Sequence, residues 1–159
     1  MVEMRAVVIT VSDTRDELTD RSGKLLCEKL KELGVKLVEK AIITDELDGI
    51  AEVLRHFTER EDVNLIFTTG GTGLSPRDNT PEATKLVIER EVPGFSELMR
   101  IGTRAKTPRS VMSRGVCGIA SGTLIVNLPG SPGGVEDCLA EIAPLIQHAV
   151  NQLAGDSSH

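Results

Sequence analysis

The chain has 159 residues, of which 40% are hydrophobic and 26% charged, with a formal net charge of −6. That length holds one domain with its own core, and the composition excludes a disordered, collagen-like or membrane-embedded chain. The acidic balance, with no Trp, no Tyr and three Phe, argues against a nucleic-acid partner, which calls for phosphate-neutralising cations and rings on which bases can stack.

Met1 to Arg5 leads straight into a strand-like run, without the apolar stretch and small-residue cleavage site of a signal peptide. Apolar runs such as Val7 to Ile9 and Leu124 to Val126 are far shorter than the roughly 20 residues of a membrane-spanning helix. A cytoplasmic protein without a membrane partner is expected. Arg5 to Ser12 is a β-branched run that reads as a first strand buried on both faces. Leu25, Leu26, Leu30 and Leu33 follow at helical spacing, with Gly34 where a carboxy-terminal cap belongs. Cys27 lies in this helix; Cys27, Cys117 and Cys138 are widely spaced, lack zinc-site spacing, and are expected to be buried free thiols. His56, His148 and His159 are equally scattered.

Lys36 to Ile43 alternates more than the first strand and belongs nearer a sheet edge, and Ile50, Val53, Leu54 and Phe57 form a helical stripe. A third strand, Leu65 to Thr69, runs into Gly70 and Gly71. A helix then opens with Thr80 as its N-cap, Pro81 in its first turn and Glu82 complementing its positive end. After Pro93 and Gly94, the spacing of Phe95, Leu98, Met99 and Ile101 predicts a helix ending near Gly102. Gly118 to Ala120 and Thr123 to Leu128 around Ser121 and Gly122 read as a β-hairpin. Val135 to Leu153 reads as a long amphipathic helix that Pro144 should kink or break. The alternation predicts an α/β fold whose mostly parallel sheet is covered on both faces and carries one antiparallel hairpin strand. One domain over 1–153 and a flexible tail over 154–159 are expected.

In such a sheet, ligands settle beyond the carboxyl ends of the strands. Four ends are chemically loaded: Ser12 and Asp13, Thr44 and Asp45, Thr68 to Asp78, and Leu128 to Gly134. Gly70, Gly71 and Gly73, flanking Thr72, let backbone N–H groups approach phosphate oxygens, although a sharp turn would use the same residues. The loop is not a P-loop, because no Lys-Ser/Thr pair follows the last glycine, and Pro76 occupies the third glycine position of a dinucleotide fingerprint. Arg77 and Asp78, directly before a helix, suit Mg²⁺ and a triphosphate; a surface ion pair is the plainer alternative. Asp13 and Asp45, each ordinary turn residues alone, could share a cation with Asp78. Leu128 to Gly134 offers further amides and the Ser131 hydroxyl to an anion, or is simply a rigid turn. Arg100, Arg104, Lys106, Arg109 and Arg114 concentrate positive charge that could steer an anionic substrate, or form a solvated face.

The run TTGGTGLSPRDNTPEA, Thr68 to Ala83, resembles the signature of the MoaB/Mog family of molybdopterin adenylyltransferases. VIEREVPGF (Val87 to Phe95), MSRGVCGI (Met112 to Ile119) and LIVNLPGSPGG (Leu124 to Gly134) resemble the same family, including the amino-terminal domain of gephyrin, as do Ser12-Asp13 and Asp20 to Gly23. The resemblance spans all but the two termini. It implies a three-layer αβα sandwich, trimeric or hexameric, that transfers adenylate from ATP to the phosphate of molybdopterin with the help of Mg²⁺. It further implies a molybdenum insertase as the downstream partner.

Carried over by position, the resemblance places Asp45 and Asp78 as the catalytic and metal-binding carboxylates. Thr69, Gly70, Gly71, Thr72, Gly73 and Arg77 would bind nucleotide, and Ser12, Asp13, Ser113, Pro129, Gly130 and Ser131 would face the pterin. Thr44 stands where a proline often precedes the aspartate in that family. A phosphate monoester has a second pKa of about 6 and is largely dianionic at neutral pH. It needs no general base, so both aspartates read as metal ligands. Two other readings stand beside this one: a carrier that holds molybdopterin without adenylating it, and a nucleotide pyrophosphatase of the CinA-like class, against which the Thr72 to Asp78 continuation argues.

Overall fold

A computed structural model describes residues 1–156. Among these the chain forms β1 (Arg5–Val11), α1 (Arg21–Glu32), β2 (Lys36–Ile43), α2 (Leu47–Thr58), β3 (Leu65–Thr69), α3 (Thr80–Val87), β4 (Arg90–Glu91), α4 (Pro93–Gly102), a 3-10 helix (Pro108–Met112), β5 (Cys117–Ala120), β6 (Thr123–Leu128) and α5 (Pro132–Leu153). The strands make a single sheet in the order β2-β1-β3-β6-β5-β4. The first four run parallel; β5 is antiparallel to β6, and β4 to β5.

Successive side chains of a strand point to opposite faces, and that alternation divides the core. Ala6, Val8, Leu65, Phe67, Leu124 and Val126 turn to one side, where Leu26 and Leu30 of α1, Met99 of α4 and Leu139, Ile142 and Ile146 of α5 cover them. Val7, Ile9, Ile66 and Ile125 turn to the other, against Ile50, Leu54 and Phe57 of α2 and Ala83 of α3. The result is an αβα sandwich. Each fully buried Leu, Ile or Phe stabilises it by about 1.5–3 kcal/mol relative to exposure, which is why the unbroken apolar strands β1, β3 and β6 occupy the middle of the sheet. β2, with its alternating pattern, lies at an edge. The hairpin turn has positive φ at both Ser121 (49°) and Gly122 (75°), the type I′ geometry that matches strand twist.

Several details differ from the sequence reading. The N-cap of α3 is Asn79, not Thr80; the Thr80 hydroxyl instead donates to the Gly70 carbonyl at 2.9 Å, tying the helix start back to the glycine-rich loop. α5 begins three residues early, at Pro132, because the Ser131 side chain accepts from Gly134 N–H at 3.1 Å and caps it. It also continues through Pro144 without a break. Strand β4 and the 3-10 helix were not anticipated, since neither Arg90-Glu91 nor Pro108–Met112 carries an apolar period. All three cysteines are free and buried; burial pushes the thiols of Cys117 and Cys138 up to about 11, so both stay protonated at neutral pH. After α5, Ala154, Gly155 and Asp156 donate backbone hydrogen bonds into its last turn. The remainder of the expected tail, 157–159 with His159, lies outside the described residues. No helix among the described residues is long and apolar enough to cross a membrane.

Candidate functional site

A cleft of about 810 Å³ opens at the carboxyl ends of β3 and β6. Gly71, Thr72, Gly73 and Asp78 line one wall, Pro129, Gly130, Ser131, Gly133 and Gly134 a second, and Ser113 joins them. The walls come from segments some 60 residues apart in sequence. They are fastened at the base, where the Thr69 hydroxyl donates to the Pro129 carbonyl at 2.7 Å and Gly70 N–H to the Leu128 carbonyl at 3.2 Å. Thr69 and Gly70, read as nucleotide-binding, therefore spend their donors on the scaffold and do not line the cleft.

The neighbouring amides are different. Among the described residues, the N–H groups of Gly71, Thr72, Gly73 and Leu74 donate no hydrogen bond to the protein, and neither do those of Gly130, Ser131 and Gly133 at the start of α5. Backbone donors left unpaired beside a cavity, one set at a helix N-terminus, form the arrangement that receives phosphate oxygens.

Two glycines of the loop lie under carboxylates. Gly71 has φ +68°, and a Cβ there would collide with the Thr80 hydroxyl and come within 3.0 Å of an Asp45 oxygen. A Cβ on Gly73 would lie 2.8 Å from Asp78 Oδ2, an oxygen that also accepts from Ser75 N–H at 3.0 Å. Asp45 is 8% exposed. Burial raises its carboxyl above the ordinary range, and the charges of Asp13 and Asp78 raise it further.

Asp13 and Arg77 belong together rather than to the cleft. The Arg77 guanidinium meets Asp13 through two nitrogens at 2.8–3.0 Å and also reaches Glu46 at 3.1 Å; its partner is not the adjacent Asp78. Asp13 Oδ1 additionally accepts from Asp45 N–H at 3.0 Å, and the Asp45 and Arg77 hydrogen bonds hold the Asp13 carboxyl below its usual range. Both Asp13 oxygens are thus engaged by Arg77, and Oδ1 also by Asp45 N–H, beside the Asp45 carboxylate whose range its charge raises. Ser12 makes a local turn, its hydroxyl accepting from Thr14 and Arg15 N–H at 3.2 Å. Ser12, Asp13, Asp45 and Arg77 do not line the cleft.

No three His, Cys, Asp or Glu side chains among the described residues are placed to hold a metal by themselves. Asp45 and Asp78 still fit Mg²⁺, a hard cation commonly held by one or two carboxylates with the remaining positions filled by water and substrate phosphate.

Sequence reasoning missed most of a further part of the lining, Met99 of α4 and Thr103 just after it with Thr107, Ser110 and Met112. Of the basic cluster, Arg100 and Arg109 line the cleft. The Arg100 guanidinium is anchored on the carbonyls of Ser113 (3.3 Å) and Gly115 (3.1 Å). Lys106 pairs with Asp137 at 3.3 Å, and Arg114 turns to the glycine-rich loop. The helical period of α4 shows which face packs, but not that the next turn bounds a cavity.

The family described as "probable molybdopterin binding domain" matches residues 7–148. Molybdopterin adenylyltransferase of Helicobacter pylori is 38% identical over 94% of this chain and 87% of that protein. Molybdenum cofactor synthesis protein cinnamon of Drosophila melanogaster is 42% identical over 95% of this chain, which spans 26% of that longer protein. The crystal structure of the molybdopterin biosynthesis enzyme MoaB from Thermus thermophilus superposes with a TM-score of 0.88 at 41% identity, covering 96% of this chain and 97% of that one.

Proposed function

The chain belongs to the molybdopterin-binding domain family of molybdenum cofactor biosynthesis, and from that premise we propose that it transfers AMP from ATP to the phosphate of molybdopterin. A phosphate oxygen of the pterin forms a bond to the α-phosphorus of ATP. The bond from that phosphorus to the bridging oxygen of pyrophosphate breaks, and pyrophosphate leaves with the electron pair. The observation that carries this reading is the pair of unbonded amide sets, at 71–74 and at 130, 131 and 133, that line one cleft. They suit a reaction in which two phosphate-bearing molecules must meet.

The amides would offset charge on the phosphates as it redistributes. Asp45 and Asp78 would hold Mg²⁺, which when bound supplies Lewis-acid neutralisation of the triphosphate. The raised Asp45 carboxyl supports that assignment, because a cation is what keeps crowded carboxylates ionised together. The pterin phosphate arrives already dianionic, so no side chain has to remove a proton from it.

The test is pyrophosphate release measured with ATP, Mg²⁺ and molybdopterin together and with each omitted. Asp78→Asn is expected to lower turnover on the order of a hundredfold while pterin affinity holds. Unchanged turnover in that variant would remove Asp78 from the metal site. Pterin binding without pyrophosphate release would make the wild-type chain a carrier, and ADP-ribose hydrolysis without pterin would make it a pyrophosphatase. The same reading extends to a homotrimer or hexamer working in the cytoplasm and passing its product to a molybdenum insertase.

A further inference from the structure

Arg114 reads in the sequence as one of several cations available to an anionic ligand, but its donors are already committed. Nε donates to the Gly73 carbonyl and Nη2 to the Asp78 carbonyl, both at 2.8 Å, while Nη1 pairs with Glu82. Its backbone N–H donates to the Thr72 carbonyl at 2.9 Å. One residue, 32 to 42 positions away in sequence, thus holds the loop at 72, 73 and 78 and the first turn of α3 at 82.

The far end of the turn is tied outward by Arg77 to Asp13 and Glu46 and by the Asn79 amide to the Asp45 carbonyl at 2.9 Å, while Arg114 bridges its two limbs at Gly73 and Asp78. Leu74 is 67% exposed, so the loop gains no burial of the kind that orders the strands. Its internal bonds are local: Asp78 N–H to the Ser75 carbonyl at 2.9 Å, Ser75 N–H to the Asp78 carboxylate, and Arg77 N–H to the Ser75 hydroxyl at 3.4 Å. These close the tip of the turn, but none of them bridges the Gly73 and Asp78 carbonyls as Arg114 does.

We propose that Arg114 is the positioning residue of the glycine-rich loop. Its flat guanidinium fixes the distance between the Gly73 and Asp78 carbonyls, and thereby the direction of the unbonded amides and of the Asp78 carboxylate. The proposal rests on the adenylyl-transfer reading only for its kinetic consequence; the effect on loop order stands apart from it. Geometry, not charge, is what Arg114 supplies, and that separates this role from anion steering. A lysine keeps the charge but is a point donor on a flexible stem, unable to reproduce a planar fork.

The experiment compares wild type, Arg114→Lys and Arg114→Ala. Both variants are expected to lose about tenfold or more in kcat for pyrophosphate release, with the KM for ATP changed by less than about twofold. Deuterium uptake by ligand-free protein should rise over 75–82 in both variants, while uptake in β1, β3 and β6 stays at the wild-type level. An Arg114→Lys variant at wild-type turnover, or one with wild-type uptake over 75–82, overturns the proposal, because charge alone would then suffice. If Arg114→Ala does not fold, the lysine variant decides alone. If wild-type protein releases no pyrophosphate, the adenylyl-transfer reading fails while the uptake comparison still decides the role of Arg114.

Discussion

Asp20 and Asp45 are buried to similar extents, at 2% and 8% exposure, yet their surroundings push them in opposite directions. Burial opposes the Asp20 charge too, but the Thr10 hydroxyl at 2.7 Å, Gly23 N–H at 3.0 Å and the Lys40 ammonium at 3.0 Å hold its carboxyl below the ordinary range. Asp45 has other carboxylates for company and is raised. A carboxylate ringed by donors serves the fold, whereas one crowded by like charges marks a site. Because the folded pKa of Asp20 lies below the unfolded value of about 3.9, its stabilisation is complete above that value and is lost as pH falls through the folded pKa. Asp20→Asn should therefore cost about 2–4 kcal/mol at neutral pH, with the difference from wild type shrinking in acid. Urea unfolding between pH 3 and 7 measures it; a gap independent of pH would mean that the charge contributes nothing.

Elements meet through Asn127 of β6, which is 2% exposed. Its Nδ2 donates to the hydroxyls of Thr68 on β3 and Thr84 on α3, and its Oδ1 accepts from Val116 N–H just before β5, each at 3.0 Å. Asn127→Leu should strand buried donors and acceptors, lowering stability by about 2–4 kcal/mol and the melting temperature by roughly 5–15 °C. Calorimetry showing no fall would mean that the network relaxes onto other partners. At this scale the sequence was informative where an element carries its own period, as in the apolar run of β1 or the stripe Ile50, Val53, Leu54 and Phe57 of α2. It was silent on β4, two exposed residues defined only by pairing with β5. It misplaced the cap of α3, because the Thr80 hydroxyl found a tertiary acceptor that no local pattern announces.

For the molecule as a whole, the crevice was predictable from the order of strands and helices, and the glycine-rich loop and the Leu128 to Gly134 turn both reach it. How donors divide between scaffold and ligand was not predictable: the side chains of Thr69, Arg77 and Arg114 and the backbone N–H of Gly70 find partners 31 to 64 positions away. Binding should register on global stability, since a ligand held only by the folded state at a hundred times its dissociation constant adds about 2.7 kcal/mol. ATP with Mg²⁺ at that level is expected to raise the melting temperature by roughly 5–10 °C, and EDTA should reverse most of the gain; a shift indifferent to EDTA would separate nucleotide binding from the metal. The fastening of the two walls by Thr69 and Gly70 bears on selectivity. Bonds at the base oppose widening of the cavity there, so less ordering entropy is lost when a ligand of the right shape enters. The same stiffness leaves an oversized analogue no compensating adjustment, and discrimination between phosphate esters should come from rejection by shape rather than from stronger attraction to the preferred one.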